Sequence, residues 1–309
     1  MKFVLTDEQS GFAHSLDDLL SKADTPAVNR AWADGDHEPG LKLWSRLADL
    51  GVTVLATEAS PVEVCIAFEA LGRHAVPGPW AESAAYLPIA LPDQDFSEKR
   101  ATVAVAPHVP YALDADIADE IYVVADGELQ RAEIGEPVKS VDRSRHLFNV
   151  DLGGRVAAEE RGGVSRPLDE AFNLAALATS AQLLGAGERV LSDTVAYAKQ
   201  RKQFGREIGS YQAIKHQLAD VRIALDFARP LLLGAAVDPT PRSVSAAKIQ
   251  SAEAADLAAR IGLQVHGAIG KTDEYDLSLW LLRIRALLSA WGTPAFHRER
   301  LLTDLLESR

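Results

Sequence analysis

The 309-residue sequence predicts a mostly α protein with a small β domain in its middle. Three observations indicate this class. The first hundred residues carry helix start and stop signals, the apolar period changes from helical to alternating near Arg100, and the chain after Pro167 is rich in alanine and leucine. We therefore expect an N-terminal α-helical domain at 1–98, a reduced β domain at 99–160 and a C-terminal four-helix bundle domain at 161–309.

Start signals mark the helices of the first domain. Thr6 with Gln9, and Ser60 with Glu63, each fit a capping box, in which a hydroxyl and a downstream amide or carboxylate satisfy free N–H groups of the first turn. The stretch Leu41–Leu50 followed by a glycine predicts a helix with a glycine stop.

The predicted β domain consists of runs rich in valine and isoleucine, namely ATVAVAP, EIYVVADGELQRAEI and SRHLFNVDL. Asp126–Gly127 interrupts the second run as a hairpin turn that needs positive φ. We expect roughly four to six strands here.

The last domain predicts four long antiparallel helices. The first runs to Phe204–Gly205 and would be on the order of 50 Å long. The others are expected at Tyr211–Ala236 with a kink at Pro230, at Ser243–His266 and at Asp276–Trp291.

Composition and charge exclude several kinds of partner. The net charge of -12 is spread along the chain, so neither nucleic acid nor an anionic membrane surface is expected, because both attract basic faces. The N-terminus has no signal-peptide core, and no apolar run reaches the roughly 20 residues of a membrane span. The single cysteine, Cys65, lies in an apolar run and is expected as a buried structural thiol. We expect a reduced, cytoplasmic protein.

Two segments of the bundle carry groups suited to a ligand. In RKQFGREI, Arg201 at a helix end can hold a pyrophosphate bidentately, and Gly205 would end the helix so that the chain approaches the ligand closely. In QVHGAIG, two glycines beside Gln264 let backbone N–H groups and an amide face an anionic or heteroaromatic ligand. Taken singly, each segment is better explained as an ordinary helix terminus.

Taken together and in order, the motifs are specific. Four motifs follow one another along the chain: R-x-x-F-G, a helix with x-Q-x-x-K-x-x-L-A-D, Q-x-x-G-x-x-G-x-T-x-E-Y, and a helix ending in G-T. In this order they resemble the C-terminal half of the acyl-CoA dehydrogenase family. FVLTDEQ, LWSRLADLGV and FEALGR are similar to its N-terminal helical domain. The resemblance implies a subunit of helix, β and helix parts that binds FAD at a subunit interface. In that family a carboxylate takes the α-proton of an acyl-CoA thioester while a hydride passes to the flavin.

The resemblance also implies which residues contact FAD. Those that match the contacts to the pyrophosphate and adenosine are Arg201, Gln203, Phe204 and Gln212. Those that match the second set of contacts are Gln264, Gly267 and Gly270, and the hydroxyl of Thr293 matches a contact near the flavin.

Both family positions for the catalytic base hold other residues. The position before Gly-Thr is Trp291, whose indole has one N–H donor and no basic site. The second position, on the first bundle helix, is Ala175. We predict no catalytic residue in this chain, and we expect Trp291 to fill the vacated acyl pocket.

The predicted β domain lacks the family's T-E-P-x-x-G-S-D loop and W-I-T segment, which hold the isoalloxazine ring. The resemblance therefore implies the short, non-catalytic type of subunit that completes the FAD site of a catalytic acyl-CoA dehydrogenase subunit, as in actinobacterial enzymes for bulky steroid CoA thioesters. It implies a hetero-oligomer of two plus two chains, with electron-transfer flavoprotein as acceptor.

Two alternatives stay open. One is an active homo-oligomeric dehydrogenase with a relocated base, either Glu170 or an acid of TDEYD (Asp273, Glu274 or Asp276). The other is a flavin-free scaffold subunit that keeps only the bundle.

The histidines on the bundle fit ordinary structural positions. His216 and His266 are expected as interior or interface residues on bundle helices. His297, beside Arg298 and Arg300, is expected on a solvated or intersubunit face. No metal site is predicted.

Overall fold

The computed structural model describes residues 4–272 and 275–307, apart from residues 155–164. Helices come first and last in the described chain, and strands lie between them, as the predicted fold class requires. The ends of the three predicted domains stay predictions.

The N-terminal part is helical. Its helices are α1 (Asp7–Ser21), α2 (Thr25–Ala33), α3 (Glu38–Asp49), α4 (Leu55–Glu58), α5 (Pro61–Arg73) and, after a π-helical turn at Glu82–Tyr86, α6 (Leu87–Ala90).

Local sequence signals correctly predicted the starts of α1 and α5 and the end of α3. The hydroxyl of Thr6 accepts from the Gln9 N–H at 3.2 Å, and the Gln9 side chain accepts from the Thr6 N–H at 3.0 Å. The same reciprocal pair joins Ser60 and Glu63 at the start of α5. Gly51, at φ 82°, follows α3. Both capping boxes and the glycine stop are therefore confirmed.

The middle part is a five-stranded sheet with the strand order β1-β3-β4-β5-β2. Its strands are β1 (Ala101–Val105), β2 (Ala112–Leu113), β3 (Glu120–Ala125), β4 (Glu128–Val138) and β5 (Leu147–Gly154). The β1–β3 pair is parallel and the other pairs are antiparallel. Asp126 and Gly127, at φ 52° and 78°, form the predicted hairpin turn between β3 and β4.

The bundle helices are α7 (Ser165–Gln200), α8 (Gln212–Val237), α9 (Pro241–His266) and α10 (Leu277–Leu287), and α11 (Pro294–Glu307) follows them. With 36 residues, α7 is about 54 Å long. It packs against α5, α8, α9 and α10. α8 continues through Pro230.

The first bundle helix ends earlier than predicted. Its last residue is Gln200, and the next residues form a hairpin from β6 (Lys202–Gln203) and β7 (Arg206–Glu207). The turn of this hairpin is Phe204–Gly205, so the expectation that Gly205 ends the helix is wrong. The Ile208 N–H donates to the Arg201 carbonyl at 2.8 Å and closes the hairpin.

Two glycines let α5 and α7 touch backbone to backbone. A Cβ added to Gly185 on α7 would lie 2.0 Å from the carbonyl oxygen of Glu69 on α5. A Cβ on Gly72 of α5 would lie 2.1 Å from the carbonyl oxygen of Gln182. A methyl group at either position would overlap backbone that cannot move aside, so this approach requires glycine.

A buried ion pair joins α10 to the N-terminal and β parts. The Arg283 guanidinium donates to the Asp142 carboxylate at 2.5 Å, to the Ser144 hydroxyl at 2.9 Å and to the Val76 carbonyl at 2.9 Å. Burial alone would raise the pKa of Asp142, but Arg283 and the hydroxyl lower it below its usual range. Removing one partner of such a pair leaves an uncompensated buried charge.

Two further expectations concern single features. Cys65 is buried, and burial raises the pKa of its thiol, so it is a structural residue as predicted. Among the helices of the described residues, none is both long and apolar enough to cross a membrane.

Gly185→Ala tests the contact between α5 and α7. Alanine has the better helix propensity by about 1 kcal/mol, but the overlap with the Glu69 carbonyl outweighs it. We expect the free energy of unfolding to fall by about 1–3 kcal/mol in urea titration. In the control Gly11→Ala, on α1, the added Cβ meets nothing within 4 Å, so stability should rise by about 0.5–1 kcal/mol. Equal changes in the free energy of unfolding of Gly185→Ala and Gly11→Ala would show that α5 and α7 do not make this backbone contact.

Candidate functional site

The corner between α10 and α11 carries the Trp-Gly-Thr sequence. Trp291 is fully buried and has φ 54°, and Gly292 has φ 98°. A Cβ on Gly292 would lie 2.5 Å from Nε2 of His297, so this glycine is required by both its dihedral and its surroundings. Thr293 is exposed, and its hydroxyl accepts from the Phe296 N–H at 3.2 Å, which caps α11.

A buried lysine holds this corner from α9. The Lys248 ammonium donates to the carbonyl oxygens of Leu287, Leu288 and Gly292 at 3.3, 3.4 and 3.1 Å. These carbonyls belong to the end of α10 and the corner after it, where they lack helical partners. Burial lowers the pKa of Lys248 to about 7.

His297 lies beneath the corner. Its Nε2 donates to the Trp291 carbonyl at 2.9 Å, and its Nδ1 accepts from the Ser245 hydroxyl at 3.1 Å. This pairing requires a neutral ring, and burial is the main cause that lowers the pKa of His297 to about 4. The expectation of a solvated or intersubunit position for His297 is wrong, because α11 packs on α9 through this side chain. Of its predicted neighbours, Arg298 is exposed.

Aromatic rings surround the indole of Trp291. The ring centroids of Tyr86 and Phe172 lie 4.9 and 5.9 Å from it. The guanidinium of Arg300 lies 5.5 Å from the Phe172 ring on the outer side. The large, fully buried side chain of Trp291 therefore occupies the space beside α7.

Ala175 and Trp291, the residues at the two positions where the resemblance implies a base, lie in one region. Ala175 is fully buried on α7, one turn after Phe172 and one turn before Thr179. Phe172 packs on Trp291, and Thr179 lines a small cavity together with Trp291. The indole therefore lies alongside the turn of α7 that carries Ala175.

A buried carboxylate near Trp291 was missed by the sequence analysis. Glu82, in the π-helical turn, lines the same cavity with Arg145. Burial raises the pKa of this carboxyl, and Arg145 and the Trp291 indole oppose the rise. Within the described chain, the indole nitrogen makes no hydrogen bond of standard geometry. The signal was an acid in an otherwise apolar run, PWAESAAYLPIA.

This cavity has no room for a substrate. Its volume is about 10 Å³, which is roughly enough for one water molecule. Glu82 therefore cannot contact the α-carbon of a thioester in this conformation.

Neither of the two described candidates for a relocated base, Glu170 and Asp276, lines the cavity beside Trp291. Glu170 is exposed on α7. Asp276 accepts from the Arg30 guanidinium at 2.6 Å and precedes the first residue of α10, whereas Trp291 follows the last. Asp273 and Glu274 lie outside the described residues.

The candidate residues for the pyrophosphate and adenosine lie at the other end of the bundle. Phe204, at φ 50°, is 91% exposed at the tip of the β6–β7 hairpin. Arg201 is exposed, and within the described part of the chain its side chain makes no hydrogen bond or ion pair. Gln203 and Gln212 are also exposed. These side chains are free to contact a ligand or another chain.

The second motif lies beside the first. His266 at the end of α9 stacks on Tyr197 near the end of α7, with ring centroids 4.2 Å apart. Gln264 is exposed, and Gly267 has φ 65° with ψ -138°, a conformation for which glycine is needed. Gly270 is buried, and a Cβ there would lie 3.0 Å from the Cβ of His266.

Thr293 is far from these residues within one chain. His297, four residues after Thr293, bonds Ser245 near the start of α9, whereas Gln264 lies near its end. The 19 residues between them on a helix span about 29 Å. The structure therefore brings the pyrophosphate and adenosine candidates together and leaves Thr293 apart from them.

The two other histidines differ in burial. His266 is buried and bonds the Gly262 carbonyl at 2.8 Å, which confirms an interior position. His216 on α8 is exposed, so within this chain it is not an interior residue.

Known proteins share this sequence and fold. Residues 163–306 match the family model described as acyl-CoA dehydrogenase, C-terminal domain. The chain is 30% identical over 320 aligned positions to the acyl-CoA dehydrogenase IpdE2 of Mycobacterium tuberculosis, with 98% of each chain covered. It superposes on a chain of the ChsE4–ChsE5 complex from Mycobacterium tuberculosis with a TM-score of 0.86, at 23% identity and with 100% of both chains covered. A chain of a Tcur3481–Tcur3483 steroid ACAD variant gives a TM-score of 0.81 at 19% identity, with 98% of each chain covered.

Trp291→Ala tests whether the indole is a filling residue. Removing a fully buried tryptophan leaves a cavity, so we expect the free energy of unfolding to fall by about 3–5 kcal/mol in urea titration. The matched control is Phe204→Ala, which has a similar left-handed φ but is 91% exposed. It should change stability by less than about 0.5 kcal/mol. A Trp291→Ala effect as small as that of the control would contradict the packing.

The pH dependence of stability tests His297. Its folded pKa of about 4 lies below the ordinary value of 6.5, so between these values the unfolded chain binds a proton that the folded chain does not. Stability should therefore fall as pH drops through this window, by on the order of 3 kcal/mol from this group. Urea titrations between these two pH values should show that His297→Gln loses this contribution to the pH dependence of the free energy of unfolding. His14→Gln, in which an exposed histidine is replaced, should keep it. An unchanged slope in His297→Gln would show that another group titrates.

Proposed function

The chain belongs to the acyl-CoA dehydrogenase family, and from this premise we propose that it is the non-catalytic subunit of a heteromeric, FAD-dependent acyl-CoA dehydrogenase. In this role it completes the FAD site of a catalytic partner and supplies no base of its own. The observation that carries the proposal is the burial of Trp291 at the position where the family has its base.

The filled corner argues against independent catalysis. Proton abstraction from the α-carbon requires a basic atom within hydrogen-bond reach of that carbon. Trp291 has no such atom, and Ala175 at the second position has none either. The indole, packed between Tyr86 and Phe172, also leaves no room for an acyl chain on this side of α7.

The candidate residues at the opposite end of the bundle suit the pyrophosphate and adenosine part of FAD. The guanidinium of Arg201, which is exposed and has no partner among the described residues, suits bidentate pairing with pyrophosphate oxygens. The exposed ring of Phe204 and the amide of Gln264 offer apolar and polar contacts to the adenosine end. Because Thr293 lies at the other end of the bundle, one copy of FAD cannot span both places in a single chain. We therefore place the rest of its site on the partner.

Bound FAD would supply the acceptor for the hydride of the β-carbon of the acyl-CoA thioester, with an electron-transfer flavoprotein as the proposed onward acceptor. The α-proton goes to a carboxylate of the catalytic subunit. This chain contributes Arg201, Gln203, Phe204 and Gln212 to binding, with Gln264, Gly267 and Gly270 beside them. Thr293 is assigned to a contact near a second flavin.

The substrate class and assembly are inferred from fold neighbours. One neighbour is named as a two-protein complex, ChsE4–ChsE5, and another as a steroid ACAD with two components. We propose the same kind of hetero-oligomer, of two plus two chains, acting on a steroid or another bulky CoA thioester. The filled pocket of this subunit is consistent with a substrate held by the partner alone.

Flavin content tests the proposal. The full chain is produced alone and together with full-length acyl-CoA dehydrogenases of the same organism, and bound FAD is measured by absorbance after gel filtration. We expect little flavin on the lone chain and about one FAD per catalytic subunit in the complex, with acyl-CoA oxidation only there. Losing the bidentate pair in Arg201→Ala should weaken FAD binding by roughly tenfold or more.

The matched control is Arg46→Ala, an exposed arginine on α3, which should leave FAD binding unchanged. If the lone chain binds FAD and oxidises an acyl-CoA, it is an active homo-oligomer with a relocated base. If the Arg201→Ala complex keeps its full FAD affinity, the chain is a scaffold. Either result overturns the proposal.

A further inference from the structure

Three potential metal ligands meet where the N-terminal helices contact the sheet. His37 precedes α3, Asp116 follows β2, and His146 precedes β5. All three side chains are partly buried, at 17%, 33% and 21% exposure. None belongs to the candidate base or FAD residues.

The distances among their ligand atoms would let one metal ion contact all three side chains. Nε2 of His37 lies 3.3 Å from Nδ1 of His146, and each of these atoms lies 3.8 Å from Oδ2 of Asp116. The point equidistant from the three atoms is therefore about 2.1 Å from each of them, which equals the usual distance from Zn²⁺ to histidine nitrogen or carboxylate oxygen.

We propose that His37, Asp116 and His146 bind a divalent first-row metal ion of the Zn²⁺ class. Two imidazole nitrogens and one carboxylate oxygen form a donor set that such ions take in proteins. Three protein ligands leave one position for water, so the ion would be four-coordinate.

A second layer of contacts holds the ligands in place. Asp114 is fully buried, and its Oδ1 accepts from the backbone N–H of His146 and from the indole N–H of Trp32, both at 3.1 Å. The His37 ring packs edge-on against Trp32, with centroids 4.7 Å apart. The hydrogen-bonded pair of Asp114 and Trp32 thus contacts both histidine residues, in the place where outer contacts support metal ligands.

The ion would join two parts of the chain. His37 belongs to the N-terminal helices, whereas Asp116 and His146 belong to loops of the β sheet. An ion bound only by the folded chain stabilises it by mass action. We therefore expect zinc to strengthen the attachment of the N-terminal helices to the sheet.

Calorimetric titration of the full, chelator-treated chain with ZnCl₂ tests the site. We expect one equivalent to bind and the melting temperature to rise with zinc. His37→Gln, Asp116→Asn and His146→Gln should each weaken binding by at least roughly tenfold. His14→Gln, on the exposed face of α1, is the matched control and should bind as the unchanged chain does. Circular dichroism confirms that each variant is folded.

A second measurement does not depend on variants. The visible spectrum of the Co²⁺-loaded chain should show the intense bands of four-coordinate cobalt, and X-ray absorption of the zinc form should show nitrogen and oxygen neighbours at about 2.0–2.1 Å. Absence of stoichiometric binding, or equal binding by the three ligand variants and the control, would overturn the proposal. The cluster would then be an imidazole–imidazole hydrogen bond only.

Discussion

The backbone contact between α5 and α7 at Gly72 and Gly185 is the constraint on which the rest of the structure depends. Because the two helices touch without intervening side chains, the segment after α5 is drawn across α7. That segment carries Glu82 and Tyr86, and Tyr86 packs on Trp291 at the far side. The buried core is consequently continuous from the N-terminal helices into the bundle.

The corner at Trp291 combines two buried basic groups with a strained backbone. Burial lowers the pKa of both Lys248 and His297, and both donate hydrogen bonds to carbonyl oxygens of the corner. A positive φ is unfavourable for a side chain as large as tryptophan. Its complete burial among aromatic rings offsets that cost. The family framework is thus kept, with Gly292 in place, while the space beside α7 is filled.

Local features were predictable from the sequence because each depends on a few neighbouring residues. Both capping boxes, the Asp126–Gly127 turn and the order of helices and strands need only local hydrogen bonds and the period of apolar residues. The end of α7 was placed too late, because the pairing of Lys202 with Glu207 forms a hairpin where the sequence still favours a helix. The burial of His297 was missed because α11 folds back on α9.

By itself, the sequence determined the fold class, the family and the residues at the two positions where the resemblance implies a base, since these follow from residue type and spacing. Only the tertiary structure decided that Ala175 and Trp291 lie in one filled region and that Arg201 and Thr293 lie at opposite ends of the bundle. The tertiary structure also brought Nε2 of His37 within 3.3 Å of Nδ1 of His146. Such relations join residues more than a hundred positions apart, or depend on the length of a helix, and the packing of whole elements sets them.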